Sequence, residues 1–241
     1  MSLSECVALI TGASSGIGRS CAIALAREMC TVVLTGRNRD RLSKTADECR
    51  LVAEEGKLSL HIGDLNDPEF VTTMISTVKQ TFGKLNFVIA AAGVSHRTNA
   101  LSEIPQGRIE EMISTNLVST MNLVQQCIPL LRQSPNPRNI IVIGSQSGRH
   151  PRKEMYAYCA SKHGIVGFTE SLFEDVREED IRVTNINPGL VATPMITNPQ
   201  LERSKMIPPE DVANLIVLMA KWPGVSCITN IDIRPQKSPY Q

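Results

Sequence analysis

Short runs of β-branched and apolar residues alternate with longer stretches of helical character along nearly the whole chain. The strand candidates are residues 7–11, 31–35, 58–62, 85–90, 139–143, 181–186 and 227–233. The helical stretches between them are about residues 16–29, 39–53, 67–82, 106–133, 156–176 and 209–221. Such alternation is typical of βαβ units, which build a parallel sheet covered by helices on both faces. The pattern therefore predicts an α/β protein with a doubly wound parallel sheet of about seven strands.

The chain shows no internal boundary that would divide it into separate domains. No linker, repeat or low-complexity segment interrupts the alternation, and the irregular stretches at 134–138, 148–155 and 194–208 are short. A length of 241 residues is compatible with one large α/β domain. We therefore expect residues 1–241 to form a single domain.

The composition argues against several classes of partner. A net charge of +1 and an aromatic content of 4% do not indicate binding to nucleic acid or to a charged membrane surface. No apolar run approaches the roughly 18 residues of a membrane span, and the first strand candidate leaves no room for a signal peptide. We therefore expect a cytoplasmic protein with no nucleic-acid or membrane partner.

The cysteines favour a reducing compartment and do not suggest a metal site. Seven cysteines are odd in number and show no CxxC spacing, which predicts buried free thiols rather than disulfides. No His, Cys and Asp grouping has metal-ligand spacing, so we expect no metal. Cys159 has two interpretations: a buried thiol without a special role, or a redox-sensitive thiol.

A glycine-rich loop follows the first strand and opens the first helix. Its sequence runs from Thr11 through Gly12, Gly16 and Gly18, with Ser14, Ser15 and Ile17 between the glycines. Glycines at these positions permit a tight turn, a close approach of the backbone to phosphate, and close packing of helix on strand. The free N–H groups at the helix N-terminus attract a pyrophosphate. The loop therefore predicts a Rossmann-type dinucleotide-binding domain.

The end of the second strand indicates which dinucleotide is bound. A carboxylate there would bind the ribose 2′-hydroxyl of NAD, whereas arginine suits the 2′-phosphate of NADP. The sequence has Arg37, Asn38 and Arg39 at this point, and Asp40 follows, either as an objection or as a cap on the next helix. The pattern favours NADP(H) as the cofactor.

The third strand also ends at this edge of the sheet, with Asp64 and Leu65. Asp64 is a candidate for accepting a hydrogen bond from the adenine amino group. A carboxylate that closes a turn or caps a helix is the alternative interpretation.

Tyr158 and Lys162 lie four residues apart in a helical stretch, which places them on one helix face about one turn apart. A phenol titrates near pH 10 in water, and a neighbouring ammonium favours the phenolate and lowers its pKa. The pair therefore predicts a tuned proton donor. Tyr156 points away from that face and is expected to pack against the protein.

Taken together, these motifs make the chain resemble the short-chain dehydrogenase/reductase family over nearly its whole length. The family's TGxxxGxG matches Thr11–Gly18, its YxxxK matches Tyr158–Lys162, its serine thirteen residues before the tyrosine matches Ser145, its structural asparagine matches Asn116, and its PGxVxT matches Pro188–Thr193. The resemblance implies NADP(H)-dependent interconversion of a small carbonyl compound and its alcohol. The last strand resembles the branch that contains the serine and allo-threonine dehydrogenases.

The resemblance also implies roles for individual residues. Tyr158 would donate the proton, Ser145 would hydrogen-bond the substrate oxygen, Lys162 would bind the nicotinamide ribose, and Asn116 would hold a water that leads to Lys162. Thr193 would hold the nicotinamide carboxamide. The full set of expected cofactor-binding residues is Gly12, Ser14, Ser15, Gly16, Ile17, Gly18, Arg37, Asn38, Arg39, Asp64, Leu65, Ala91, Gly93, Tyr158, Lys162, Pro188, Gly189, Val191 and Thr193.

One motif departs from the family's pattern. Its NNAG after the fourth strand is here Ala90–Gly93, which lacks two asparagine amides. We read this as weakened support for the cofactor loop rather than lost catalysis. An NADP-binding sensor with vestigial catalysis and an NAD-linked alcohol dehydrogenase are the alternative functions.

The sequence says less about the substrate and the assembly. Residues 194–208 predict a short mixed lid that suits a small carbonyl, in which Arg203 or Lys205 meets a substrate carboxylate or is simply solvated. Ser147, His96 and His150 are candidate substrate contacts. The resemblance implies a homodimer or homotetramer that associates through residues 106–133 and 156–176, and the candidate contacts are Leu117, Leu123, Phe168 and Leu172.

Overall fold

A computed structural model describes residues 2–53, 56–96, 103–223 and 225–240. The strands are β1 (Val7–Ile10), β2 (Thr31–Gly36), β3 (Leu58–Ile62), β4 (Phe87–Ala90), β5 (Asn139–Ile143), β6 (Arg182–Pro188) and β7 (Asn230–Ile233). The helices are α1 (Gly16–Arg27), α2 (Arg39–Arg50), α3 (Pro68–Phe82), α4 (Arg108–Ile113), α5 (Ser119–Gln133), α6 (Tyr156–Val176) and α7 (Pro209–Ala220). Each predicted strand and helical stretch is therefore present.

All seven strands are parallel and form one sheet in the order β3-β2-β1-β4-β5-β6-β7. The chain winds outward from β1 to β3, returns across the sheet, and winds outward again from β4 to β7. The order reverses between β1 and β4, where Ala8 pairs with Phe87. In open α/β sheets, ligands bind beyond the carboxyl ends of the strands at such a switch point.

Apolar residues cover both faces of this sheet, as the doubly wound prediction requires. One cluster joins Ala8 and Ile10 of β1 to α1, α2 and α7. The other joins Val7 and Leu9 of the same strand to α3, α5 and α6. Successive side chains of a strand point to opposite faces, so β1 contributes to both layers. Because β1 is buried on both sides, its position is fixed, and its carboxyl end leads directly into the glycine loop.

The helical stretch predicted at 106–133 is divided into three parts. A π-helical turn over Ser114–Val118 separates α4 from α5 and contains Asn116. Such an insertion widens one turn and re-aims the side chains beside it, and π-turns are frequent at functional sites. The sequence pattern does not reveal it because the residues on either side keep a helical periodicity.

Two of the predicted subunit contacts are wrong. Leu123 and Leu172 lie in the core beneath the sheet, because they are on the inner faces of α5 and α6. Apolar side chains left exposed on these helical segments include Ile109, Val118, Met121 and Tyr156, with 41%, 44%, 41% and 40% of their surface accessible. Tyr156 therefore does not pack into the protein as expected.

Within the described residues, no helix is long and apolar enough to cross a membrane.

All seven cysteines are free thiols: six are buried, Cys159 among them, and Cys227 is half-buried.

Candidate active site

A cavity of about 640 Å³ runs along the carboxyl edge of the sheet across the switch point. Its volume lies within the usual range of small-molecule sites. Its walls include every predicted catalytic and cofactor-binding residue except Arg39 and Asn116. The predicted residues that it brings together are Gly12, Ser14, Ser15, Gly16, Ile17, Gly18, Arg37, Asn38, Asp64, Leu65, Ala91, Gly93, Ser145, Tyr158, Lys162, Pro188, Gly189, Val191 and Thr193.

The glycine loop forms the middle of the cavity wall and is shaped by backbone contacts. Gly12 and Gly16 have φ angles of 64° and 54°, in the left-handed region that glycine adopts freely. A Cβ on Gly18 would lie 2.5 Å from the Gly12 carbonyl oxygen, and a Cβ on Gly12 would lie 2.9 Å from that of Ala91. The loop can therefore close against β4 and α1 only with glycine at these positions.

The N-terminus of α1 is available to a phosphate. Ser15 precedes the helix in an extended conformation, and its side chain makes no capping hydrogen bond to the first turn. The N–H groups of that turn, together with the positive end of the helix dipole, form a binding site for an anion. The glycine loop and this helix end together form a phosphate cradle, which fits the pyrophosphate of a dinucleotide.

Beyond β2, the cavity is lined by Arg37, Asn38 and Arg41. Arg39, which was also predicted to bind the cofactor, is not among the lining residues, whereas Arg41, which the sequence analysis missed, is one of them. Asn38 accepts the Arg41 backbone N–H at 2.9 Å and so caps α2, which places Arg41 in the first turn on the cavity side. Asp40 does not cap α2, contrary to the second interpretation, because Asn38 is the N-cap residue of that helix. Periodicity counted from the cap would have indicated Arg41.

Asp64 faces Arg37 across this end of the cavity. Its carboxylate lies 3.7 Å from the Arg37 guanidinium, and its Oδ1 accepts the Asn66 backbone N–H at 2.9 Å. The turn alternative is therefore correct in part: Asp64 closes a turn and also lines the cavity. Asp67, not Asp64, caps α3.

The altered Ala90–Gly93 segment is supported by groups that the sequence analysis did not assign. The Thr11 hydroxyl accepts the backbone N–H groups of both Ala91 and Ala92 at 3.0 Å. Asn116 accepts the Val94 N–H at 2.7 Å and donates to the Val94 carbonyl at 2.9 Å and to the Ser161 hydroxyl at 3.1 Å. Asn116 is thus buried behind the wall, where it holds the end of this segment.

Ser145 and Tyr158 both line the cavity. The Ser145 hydroxyl accepts the Ser147 backbone N–H at 3.1 Å, and it lowers the pKa of the Tyr158 phenol against the larger, raising effect of burial. Ser145 ends the strand-to-turn segment after β5, and Tyr158 is in the first turn of α6. Two residues that are thirteen positions apart in the chain therefore lie on the wall of one cavity, where a substrate oxygen can be bound.

The structure does not bear out the expectation that Lys162 lowers the pKa of Tyr158. Burial raises the pKa of this phenol, and the opposing, lowering effects come from the Ser145 hydrogen bond and from the charge of Arg152. The Lys162 ammonium lies 5.8 Å from the Tyr158 ring centre and donates to the Ile143 carbonyl at 2.7 Å. Burial also lowers the pKa of Lys162 to about 8, since the charged form loses its hydration.

The substrate side of the cavity is lined by Ser95, His96, Met195 and Ile196, among others. His96 is 3.0 Å from the Glu111 carboxylate, which Arg108 also binds at 2.6 Å. These two contacts are why the pKa of Glu111 is lowered.

Two other predicted substrate contacts are not on this wall. Ser147 is buried outside the lining, and His150 is exposed away from it. Ser147 instead acts through its backbone N–H on Ser145.

The cations of the predicted lid are both engaged within it. Arg203 donates to the carbonyl groups of Ile196 at 3.1 Å and Thr193 at 3.2 Å. Lys205 is 2.6 Å from the Glu202 carboxylate. Arg203 therefore braces the part of the lid that lines the cavity, and neither cation is placed to meet a substrate carboxylate.

Comparison with known proteins agrees with this architecture. The model of a family described as short chain dehydrogenase matches residues 6–203. An uncharacterized oxidoreductase of Staphylococcus saprophyticus is 32% identical over 97% of this chain and 98% of its own length. The solved structure of a short-chain type dehydrogenase/reductase from Mycobacterium marinum has a TM-score of 0.87 at 25% identity, over 97% of this chain and 95% of that one. A metagenomic short-chain oxidoreductase solved in complex with NADP has a TM-score of 0.84 at 27% identity, over 99% and 100% of the two chains.

Proposed function

This chain belongs to the short-chain dehydrogenase family of oxidoreductases, and from that premise we propose that it interconverts a small carbonyl compound and its alcohol with NADP(H). The observation that carries the proposal is that Ser145, Tyr158 and Lys162 line the same cavity as the glycine loop at the start of α1. A proton donor beside a dinucleotide site is what carbonyl reduction requires.

Some residues of the chain would bind the cofactor, and others would transfer the proton. The nicotinamide cofactor, when bound, supplies or accepts the hydride. The glycine loop and the α1 N-terminus would hold its pyrophosphate, and Thr193 would hold its carboxamide, as the family resemblance implies. In the reducing direction, Tyr158 donates its proton to the substrate oxygen while the Ser145 hydroxyl stabilises the developing charge. Lys162 would leave the Ile143 carbonyl to bind the nicotinamide ribose.

The raised pKa of Tyr158 is consistent with its role as an acid. A phenol whose pKa lies above its ordinary value stays protonated throughout the neutral range, so the donor is available there. The same shift makes the reverse reaction, which needs the phenolate, more favourable at alkaline pH.

Preference for NADP(H) is supported by two arginines, Arg37 and Arg41, that line the cavity. The end of β2 is Gly36, so this position offers no carboxylate to a ribose 2′-hydroxyl. The similar metagenomic oxidoreductase was solved with NADP, which favours the same choice. Asp64 opposes it weakly through its own pairing with Arg37. An NAD-linked alcohol dehydrogenase is therefore the alternative.

The test is oxidation of NADPH, with NADH in parallel, against small ketones, aldehydes, diketones, quinones and β-keto acids. We expect turnover with NADPH that falls about 10²–10⁴-fold in Tyr158→Phe while cofactor binding is retained. Tyr156→Phe, on the exposed face of the same helix, is the matched control and should leave turnover unchanged. Bound NADPH without turnover on any of these carbonyls would instead favour the sensor alternative.

Nothing in the described residues specifically favours that sensor alternative. Its support in the sequence was the altered Ala90–Gly93 segment, and Thr11 and Asn116 supply hydrogen bonds there. The short lid with Met195 and Ile196 at the cavity wall supports a small substrate with an apolar flank.

We also propose that the protein is a cytoplasmic homodimer or homotetramer. The exposed apolar residues Ile109, Val118, Met121 and Tyr156 support association through residues 106–133 and 156–176. The seven free thiols support a reducing compartment.

A further inference from the structure

His96 is a polar side chain of the cavity wall that the proposed reaction does not use. It lines the same cavity as Ser145 and Tyr158, and Met195 and Ile196 contribute an apolar flank to that wall. The His96 side chain keeps 29% of its surface accessible, so a molecule in the cavity can reach it. In a largely apolar pocket, a few polar groups fix the orientation of the ligand. His96 is therefore placed to orient a substrate.

Two side chains of α4 hold one nitrogen of the His96 ring. Nε2 of His96 lies 3.0 Å from Oε2 of Glu111, and Nη1 of Arg108 donates to the same carboxylate oxygen at 2.6 Å. The Arg108 hydrogen bond is the main reason why the pKa of Glu111 is lowered. Glu111 is therefore an ionised carboxylate, which can only accept hydrogen bonds.

This contact determines which ring nitrogen carries the hydrogen. Because Glu111 only accepts, Nε2 of His96 must donate, and in a neutral imidazole the other nitrogen then has no hydrogen and is an acceptor. Nη1 of Arg108 also lies 3.2 Å from Nε2, but it cannot donate to a nitrogen that carries hydrogen, and it binds Glu111 instead. Within the described part of the chain, no hydrogen bond reaches Nδ1 of His96. Nδ1 is thus the ring nitrogen left to a molecule in the cavity.

The charges around the ring favour a neutral partner. The Glu111 carboxylate is already paired with the Arg108 guanidinium, so the cluster has no unpaired carboxylate to bind a substrate ammonium. An acceptor nitrogen also cannot bind the oxygen of an ether, a ketone or a carboxylate, because these groups have no hydrogen to donate. A hydroxyl group is the partner that fits.

We propose that His96 is a specificity-determining residue whose Nδ1 accepts a hydrogen bond from a hydroxyl group of the substrate. The preferred substrates are then hydroxyketones and hydroxyaldehydes, and diols in the oxidative direction. Glu111 and Arg108 are positioning residues, since they act through His96 and do not touch the substrate. The inference rests on the proposed carbonyl–alcohol function and narrows its substrate class.

The kinetic test compares substrates that differ in the hydroxyl hydrogen. Hydroxyacetone is paired with methoxyacetone, and its β-hydroxy homologue is paired with the methyl ether of that homologue. We define the hydroxyl preference as kcat/KM for the hydroxyketone divided by kcat/KM for its ether, measured with NADPH. The wild type is compared with His96→Phe and Glu111→Gln. His150→Phe is the matched control, because His150 is exposed and does not line the cavity.

We expect the wild type to prefer the hydroxyketone in at least one of the two pairs. His96→Phe should lower that preference about 3–10-fold, as the loss of one neutral hydrogen bond implies. Glu111→Gln should lower it by less, because a glutamine amide can also donate and so no longer fixes the tautomer. His150→Phe should leave it unchanged. An active His96→Phe with the hydroxyl preference of the wild type would overturn the proposal.

A second measurement needs no turnover. The chain has four histidines, and ¹⁵N labelling of their rings distinguishes nitrogens with and without hydrogen, while His96→Phe assigns the ring of interest. At about pH 8.5, above the ordinary imidazole pKa, we expect hydrogen on Nε2 of His96 and none on Nδ1. In protein saturated with NADP⁺, a hydroxyketone should shift the Nδ1 resonance and its methyl ether should not.

Hydrogen on Nδ1 at this pH, or an Nδ1 resonance that neither hydroxyketone moves, would overturn the role of His96. Failure of all four carbonyl compounds to oxidise NADPH would instead count against the proposed function, and the ring ¹⁵N spectra would still test His96. The two failures are therefore distinguishable.

Discussion

The two ends of the cavity are built in different ways. The cofactor end is made largely of backbone, from a single loop between β1 and α1 whose glycines touch neighbouring peptide groups. The substrate end is made of side chains from segments scattered along the chain, at Ser95–His96, Ser145, Tyr158 and Met195–Ile196. Local sequence is enough to specify a site made of contiguous backbone, whereas a site made of distant side chains depends on how the whole chain folds.

The largest expected effect is at the cofactor end, where Gly18→Ala should disrupt both cofactor binding and the fold. The added Cβ would lie 2.5 Å from the Gly12 carbonyl oxygen and 2.8 Å from that of Thr11, and both are backbone atoms with little room to move. We expect destabilisation by about 3 kcal/mol or more and no detectable NADPH binding, measured by thermal unfolding and by fluorescence titration.

Gly167→Ala is the matched control for this substitution. It is also a helical glycine, but a Cβ there meets nothing within 4 Å. We expect a gain of about 0.5–1 kcal/mol, because alanine restricts the unfolded chain and favours helix. Equal losses in the two variants would show that the cofactor end is not defined by backbone contact.

At the catalytic centre, Ser145→Ala should reduce kcat/KM about 10²–10³-fold, since it removes one donor from the oxygen that develops charge. NADPH affinity should change little, because Ser145 lies beyond the phosphate cradle. Ser147→Ala removes a neighbouring hydroxyl that is not on the cavity wall, and it keeps the backbone N–H that orients Ser145. Comparable losses in both serine variants would contradict the assignment.

A smaller effect distinguishes the two arginines that follow β2. Arg41→Ala should weaken NADPH binding about 3–10-fold and leave NADH binding unchanged, since Arg41 lines the cavity and is exposed to solvent, which screens its charge. Arg39→Ala should alter neither affinity, although the sequence alone favoured it. Isothermal titration with both cofactors measures this, and a larger loss in Arg39→Ala would reverse the assignment.

A prediction of a different kind concerns Lys162, which lines the same cavity. Its pKa is about 8 in the folded protein, against about 10.4 in an unfolded chain. The unfolded state therefore binds more protons between these values, so this group adds stability as pH rises through that window and loses it as pH falls.

Lys162→Met removes this dependence. The melting temperature of the wild type relative to the variant should therefore rise by a few degrees from neutral pH to about pH 10. Thermal unfolding of both proteins across this range measures the difference. A constant difference would show that the ammonium is not desolvated in the folded state.

Sequence by itself determined the doubly wound sheet, the glycine cradle and the Tyr158–Lys162 pair, because each depends on local periodicity or on spacing within one element. Even at the cofactor end, it did not indicate Arg41, which lies in the first turn of α2 after the Asn38 cap and lines the cavity. The division of the predicted 106–133 helix by a π-turn was equally invisible in the pattern.

Only the tertiary structure decided which distant groups meet. Thr11 and Asn116 support the altered segment after β4, Leu123 and Leu172 belong to the core, and Tyr240 reaches Arg152 across 88 residues of chain. Burial likewise set the direction of the Tyr158 pKa against what a neighbouring lysine implies. The physical reason is common to all of these: hydration and long-range contacts depend on what surrounds a side chain, and the chain supplies those surroundings only when it folds.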